Sequence, residues 1–475
     1  MTVRPRTSLD SSEIDALLEE RFATISTSRA SRPLNSARYP PGPRLPAVVQ
    51  SLLLLGCRHR FVPWLHRKYG DVITLRLLPE GRRVVLFAHP DHIKEIFAGD
   101  PEVFQAGRGN LILGPLLGHR SVLLQDSSEH KRSRKLLMPA FHGPALRGYR
   151  ATVSELTSAE VARWQPETPF AMHERMNALT LEIILRVVFG VTDPARLDRL
   201  RPRVGQALDV GPSRMIGGFL PVVRRLGPWR GMKHNQRQLD LLIHEEIAER
   251  RRAPDLAGRT DVLSRLLQVA ADEERLDGEE PMDDAELRDQ LVTLLMAGHE
   301  TTASAVSWAL YELGRDPQLR ERCEHAADTG ETTGDDDLLE AVFKEALRLH
   351  TVIAMVNRTL MRPVRVGGRD LPAGTTVAVS ILLAHESERW HEAAGTFRPD
   401  RYLGDSPAPN TWVPFGGGAR RCLGAGFATM EGVEILRAVL RSCSVETVGT
   451  DFPRVRNVTS VPDRGAVMRV RPRRD

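Results

Sequence analysis

The sequence predicts a mainly α-helical fold with a small β-rich region, an α+β arrangement. Three observations carry that prediction. Apolar residues recur at helical spacing through most of the chain after about Pro90. One long apolar stretch, capped at Asp283-Asp284 and running to about Leu313, has the length and composition of a buried helix. Strand-like runs are short and few, and they cluster at Val72–Phe87, Val364–Ile381 and Val467–Val470.

Residues 1–39 are polar and rich in Arg and Ser, so they read as a flexible arm with a short helix at Ser12–Ser26. Pro40-Pro41-Gly42-Pro43 is a rigid turn that opens the folded part, residues 40–475. Phe61–Tyr69 has helical spacing. Val72–Leu77 and Val84–Phe87 form strands joined by a turn at Pro79-Glu80-Gly81. Helical periodicity then marks Ser128–Met138, Leu146–Arg163, Met176–Phe189 and Asn235–Arg251. Polar interruptions fall at Ala253–Asp261, Asp272–Asp284 and Asp328–Asp337, the last a solvated loop. Strands return at Val364–Val366, Thr375–Ile381 and Val467–Val470. There is no internal repeat, and no linker divides the motifs described below, so 40–475 reads as one large unit.

The chain has 475 residues, 41% of them hydrophobic, enough for one large core. A net charge of +5 is small for this size, and no basic reading module is visible, so nucleic acid is not an expected partner. Four cysteines, at positions 57, 323, 422 and 443, are too scattered for a disulfide framework and fit a reducing cytoplasm. The N-terminus lacks the apolar core of a secretion signal. Its longest apolar run, Leu52–Leu55, is far short of the ~20 residues of a membrane span. A soluble protein is expected.

The central helix would be roughly 45 Å long at 1.5 Å per residue, enough to cross the molecule. Leu291, Val292, Leu294, Leu295 and Met296 precede its middle, and Ala303, Ala305, Val306 and Trp308 follow it. Between them lies Ala297-Gly298-His299-Glu300-Thr301-Thr302. Gly298 costs about 1 kcal/mol of helix propensity against alanine, and a buried Glu300 without a partner costs more. Threonine hydroxyls can bond the backbone and loosen the helical ladder. Such a turn inside a buried helix has a local purpose.

The most informative residue is Cys422, in Phe415-Gly-Gly-Gly-Ala-Arg-Arg-Cys422-Leu-Gly424. A helical pattern follows from Leu423, which places the thiol near a helix N-terminus where N–H groups lower its pKa. The glycines let backbone approach a flat ligand. No second cysteine is near, which excludes a CxxC redox pair and the usual zinc site. The loop lacks the Lys-Ser/Thr ending of a phosphate loop and the spacing of a dinucleotide fingerprint. One anionic sulfur on such a loop suits a metal needing a single strong axial donor, with haem iron the leading case. The spacing F-x-x-G-x-R-x-C-x-G resembles the haem-binding loop of the cytochrome P450 family.

That resemblance implies a prism of about a dozen helices around a buried haem b. Cys422 is then the iron ligand, in a loop formed by Phe415, Gly416, Arg420 and Gly424. Ala297–Thr302 resembles the family's A-G-x-[DE]-T-T motif, where the helix kinks over the haem. Carried over, Thr301 donates a hydrogen bond during oxygen activation and Glu300 feeds protons through water. Ala297 and Gly298 leave room for O2 and substrate. His130 and Arg134, four apart on one helix face, together with Arg420 and Arg358, would hold the haem propionates. Glu345 and Arg348 resemble the family's E-x-x-R pair, joined by Arg401 in a structural triad. The helix of that pair continues as Arg348-Leu-His-Thr351 where the family usually has proline, which bears on the Thr351–Met355 segment.

The activity implied is a haem-thiolate monooxygenase that hydroxylates or epoxidises a hydrophobic small molecule, such as a lipid, terpenoid, steroid or polyketide. Its electrons would come from a separate ferredoxin or flavodoxin-type donor with its reductase. Lys131, Arg132, Lys135 and Arg421 would form the basic docking surface. The alternatives are a peroxygenase, a non-oxidative haem enzyme or a haem-based sensor. By position, the pocket is lined by 104–124, 208–223, 294–302, 352–356 and 460–462, which are largely apolar.

Overall fold

The computed structural model describes residues 39–473, apart from 79–80, 209–226, 273–275, 277, 330–335 and 405–406. The expected helix Ser12–Ser26, the centre of the Pro79-Glu80-Gly81 turn and pocket segment 209–223 lie outside the described residues. Tyr39, the last residue of the expected arm, is anchored by its hydroxyl to Thr375 Oγ1 at 3.1 Å and by Arg83 over its ring.

The first element is a helix, α1 (Ala47–Tyr69). It begins well before the expected Phe61, and it bends where Cys57 adopts φ −142° and ψ 38°. Its N-terminal half exposes Val48, Val49 and Leu52, so no apolar stripe marked it in the sequence. Strands β1 (Val72–Leu77) and β2 (Arg82–Phe87) pair antiparallel. Helix α2 (Pro90–Ala98) starts on proline, with the His89 ring accepting from the Asp91 N–H.

The helical body follows: α3 (Ser127–Leu137), α4 (Pro144–Val161), α5 (Met172–Phe189), α6 (Pro194–Leu208), α7 (Gly227–Arg252) and α8 (Val262–Ala270). The central helix, α9 (Asp284–Leu313), has the expected bounds. Asp283 caps it by accepting from the Glu286 N–H, and Gly314 ends it. Helices α10 (Pro317–Thr329), α11 (Asp336–Leu349) and α12 (Ala425–Ser442) complete the longer helices among the described residues.

The β-region is small, as expected. Strands β1 and β2 join β3 (Phe104–Gln105), β5 (Met355–Leu360) and β8 (Thr376–Ser380) in a sheet ordered β1-β2-β8-β5-β3. Pairs β6 (Val364–Val366) with β7 (Arg369–Leu371), and β10 (Pro453–Arg456) with β11 (Thr459–Pro462), stand as separate hairpins. Strands β4 (Phe170–Ala171), β12 (Val467–Pro472) and β9 (Cys443–Thr447) form a third group. The largest core wraps α9, with Trp308 fully buried, and two smaller cores lie on the faces of the main sheet. Among the described residues, no helix is long and apolar enough to cross a membrane.

Candidate active site

The loop before α12 is closed by the Cys422 N–H donating to the Phe415 carbonyl at 2.8 Å. Gly416 and Gly418 hold φ of +65° and +63°, which favours glycine. A Cβ on Gly417 would lie 2.3 Å from the Phe97 ring, and one on Gly418 would lie 1.9 Å from the Phe97 carbonyl. The loop is therefore pressed against the end of α2. Phe415 meets Trp412 edge-on, and the Trp412 indole donates to the Lys344 carbonyl of α11.

The triad expected to support this loop is assembled. Arg348 donates to both oxygens of Glu345 at 2.8 Å, and Arg401 Nε donates to the same carboxylate at 3.0 Å. Arg348 and Glu345 are fully buried. The remaining Arg348 N–H groups donate to the carbonyls of His385, Ala394 and Thr396. His385 Nε2 in turn accepts from the Val413 N–H at 3.0 Å. The departure from the family pattern has a place here, because the buried Thr351 hydroxyl bonds His385 Nδ1 at 3.2 Å.

Burial raises the Cys422 thiol pKa, and the Gly424 N–H, Arg134 and Arg421 only partly oppose it. This corrects the expectation of a helix-lowered thiol: α12 starts at Ala425, so a single backbone N–H acts on the sulfur. Cys422 is nonetheless exposed, as are Gly418 and Ala419. Both facts hold for a thiol on the wall of an internal space. A bound metal would remove its proton.

The four expected cations converge. After burial, the charges of Arg420, Arg134 and Arg358 push His130 down to about 3, so its imidazole is neutral and has one N–H to donate. Burial, then Arg420, lowers Arg358 to about 10. Arg420 is lowered to about 10, first by burial. It donates to Asp126 at 2.6 Å and to the Val122 carbonyl at 3.2 Å. Asp126 also accepts from the N–H groups of Gly107 and Arg108. It thus ties Arg420 to the Gly107–Arg108 turn, and nothing in its sequence context marked it.

Helix α9 is buried along most of its length but opens in the middle. Ala297 is exposed there, and Leu294, Met296, Gly298 and Thr301 are half-buried. Leu294, Ala297 and Thr301 share one helix face. Helix α12 packs against α9, with Glu431 beside Thr302. The expected hydroxyl–backbone bond is present, the Thr301 hydroxyl donating to the Ala297 carbonyl at 2.6 Å, and α9 stays helical through this turn. One expectation is corrected: Gly298 serves helix packing, since a Cβ there would lie 2.7 Å from Ile184 of α5. The open space is left by Ala297.

The donor set fits haem. One thiol follows a glycine-rich loop, two arginines and a neutral histidine neighbour Arg420 as partners for two carboxylates, and α9 carries an open strip at Ala297 and Thr301. Of the expected docking cations, Lys131, Lys135 and Arg421 are exposed, with Lys135 3.7 Å from Glu279, whereas Arg132 pairs with Glu286 at 2.7 Å. Among the expected pocket segments, 352–356 and 460–462 meet where the Ser460 N–H donates to the Val352 carbonyl at 2.8 Å. Glu300 is buried and bonded to the β10–β11 hairpin rather than to the open face.

Sequence reasoning also missed Glu431. It is fully buried, and neither carboxylate oxygen has a hydrogen-bond partner, although the nearby Thr302 hydroxyl slightly favours the charged form. Burial raises it from 4.5 to about 8. Between those values the unfolded chain has released this proton and the folded chain still holds it. Stability therefore falls as pH rises through that window and levels off above it. Glu431→Gln, neutral at every pH, should flatten the fall by an amount on the order of a few kcal/mol. Denaturant midpoints at pH 6 and pH 8.5 measure it, and identical pH slopes for the two proteins would refute the assignment.

A family model described as Cytochrome P450 matches residues 40–468. A Mycobacterium tuberculosis protein named for that family, cytochrome P450 135A1, is 50% identical over 438 residues, covering 92% of this chain and 96% of its own length. Cytochrome P450 135B1 of Mycobacterium bovis is 43% identical over 446 residues, covering 93% of each. Neither name states a substrate. Two solved structures share the fold. A cyanobacterial CYP120A1 described as retinoic acid bound has a TM-score of 0.80 at 23% identity, covering 92% of this chain and 99% of that one. The heme domain of cytochrome P450DA has a TM-score of 0.78 at 24% identity, covering 91% and 98%.

Proposed function

The chain belongs to the cytochrome P450 family, and on that premise we propose that it is a monooxygenase that inserts one oxygen atom of O2 into a hydrophobic small molecule. Residues 40–475 form its catalytic unit, and it acts in the cytoplasm. The observation that carries the reading is the thiol of Cys422 beside a cluster of three arginines and a neutral histidine, together with the open Ala297–Thr301 strip of α9.

Bound haem b would supply the oxygen-activating and electron-accepting chemistry. Arg134, Arg358 and Arg420 hold its carboxylates by charge, and His130 contributes a neutral N–H. Cys422 ligates the iron, in the loop of Phe415, Gly416 and Gly424. Thr301 rests with its proton on the Ala297 carbonyl; rotated off that carbonyl its hydroxyl would donate a hydrogen bond during oxygen activation, and in either orientation its oxygen can accept one. Glu300, one residue before, is the nearest acid on α9 and serves as proton source. Leu111, Val352, Ile353 and Met355 supply apolar lining, which suits a lipid, terpenoid, steroid or polyketide. The retinoic acid named for the cyanobacterial structure, an isoprenoid acid, lies within that range. A ferredoxin or flavodoxin-type donor with its reductase docks at Lys131 and Arg421.

Reconstituted with a ferredoxin, its reductase and NADPH, the protein should consume O2 in a substrate-dependent way across a panel of such ligands. Thr301→Ala should keep its spectrum but divert electrons to hydrogen peroxide, with product per O2 falling about tenfold or more. Tight coupling in that variant would remove Thr301 from this role.

A further inference from the structure

Glu300 is held by the β10–β11 hairpin. Arg456 Nε lies 3.2 Å from its Oε1, and Asn457 Nδ2 donates to its Oε2 at 3.2 Å. The Thr459 hydroxyl shares its proton between that Oε2 at 3.0 Å and the Arg456 carbonyl at 2.8 Å. All three residues sit at the tip of the β10–β11 hairpin, where Arg456 pairs with Thr459 and Asn457 turns the chain at φ +53°. The Arg456 charge reaches further into the interior. His173 and His299 are held neutral, first by burial and then in part by Arg456.

The tip is itself tethered. Arg58 of α1 donates to the Thr459 carbonyl at 2.9 Å, and His59 Nε2 bonds Ser460 Oγ at 2.8 Å. An isolated two-stranded hairpin is marginal by itself, so these tethers fix where the clamp sits. Thr301, the neighbour Glu300 would serve, faces the open strip with Ala297, about 100° round the helix from Glu300. A carboxylate bonded into the hairpin cannot hand a proton to that face without leaving its partners.

Resting on the monooxygenase reading, we infer that Arg456, with Asn457 and Thr459, is a positioning clamp that holds Glu300 away from Thr301 and so limits proton entry at the oxygen site. Arg456 acts through Glu300 and touches no reacting atom.

The test needs no substrate. Haem-loaded, reduced protein is mixed with O2, and its spectral decay is followed by stopped flow in H2O and D2O. Arg456→Gln should speed the decay about two- to fivefold, the range for a partly exposed ion pair, and should lower the H2O/D2O rate ratio. Arg456→Lys should restore most of the wild-type behaviour. In a Glu300→Gln background the Arg456→Gln effect should vanish, since two groups acting as a unit are not additive. Should Arg456→Gln fail to hold haem, Thr459→Val carries the same comparison. Wild-type decay and isotope ratio in these variants, or an Arg456 effect that survives Glu300→Gln, would overturn the clamp. A wild-type protein lacking the thiolate spectrum would instead sink the monooxygenase reading itself.

Discussion

Cys422→His should abolish the strongly red-shifted Soret band of the reduced, carbon monoxide-treated protein and leave at most a nitrogen-ligated spectrum. The loop explains why the loss should be complete. Cys422 is fixed by its own N–H on the Phe415 carbonyl, and the preceding glycines are pinned against Phe97. The backbone cannot shift to offer another donor. Of the other described cysteines, Cys323 and Cys443 are buried with thiols pushed up to about 12. Cys57 bonds the Leu53 carbonyl within α1. An imidazole at position 422 can bind iron but lacks the electron density of a thiolate. Product formation should fall below detection. A Cys422→His protein that keeps the red-shifted band would refute thiolate ligation by this residue.

Glu345→Ala should prevent accumulation of haem-loaded protein. The substitution leaves Arg348, fully buried, and Arg401 without their shared carboxylate. Removing one partner of a buried pair costs about 3–5 kcal/mol, against a typical total stability of about 5–15 kcal/mol. The damage should spread, because the Arg398 N–H also uses Glu345, and the Arg348 fork ties the His385, Ala394 and Thr396 carbonyls together. Through His385 and Val413 that scaffold reaches the cysteine loop. The ratio of Soret to protein absorbance, read with the urea midpoint, measures the effect. A Glu345→Ala protein matching wild type in both would show the triad to be dispensable.

Much of this was legible in the chain. Asp283 and Gly314 bracket α9 because an N-cap and a glycine stop act locally, and local signals survive in sequence. The cysteine loop is equally local. The Glu345–Arg348 pair was readable as spacing, although only the fold makes it buried. What escaped depends on partners far along the chain. Glu431 sits among Met430, Gly432 and Val433 and looks like an ordinary helix acid until α9 covers it. Asp126 looks like a helix cap, yet its carboxylate serves Gly107, Arg108 and Arg420. Arg456, Asn457 and Thr459 form a charged turn with no periodicity, and Glu300 alone gives them meaning. Gly298 looked like room for a ligand, whereas the methyl of Ile184 claims that space.

The contact of Phe97 with Gly417 and Gly418 joins opposite ends of the polypeptide. During synthesis the cysteine loop emerges long after α2, and so do β5 and β8, the strands that complete the main sheet. Contacts so distant in sequence close slowly, since the entropy of the intervening loop must be overcome first. The N-terminal strands and α2 thus lack their sheet partners and their loop contacts until residues 355–424 have been made.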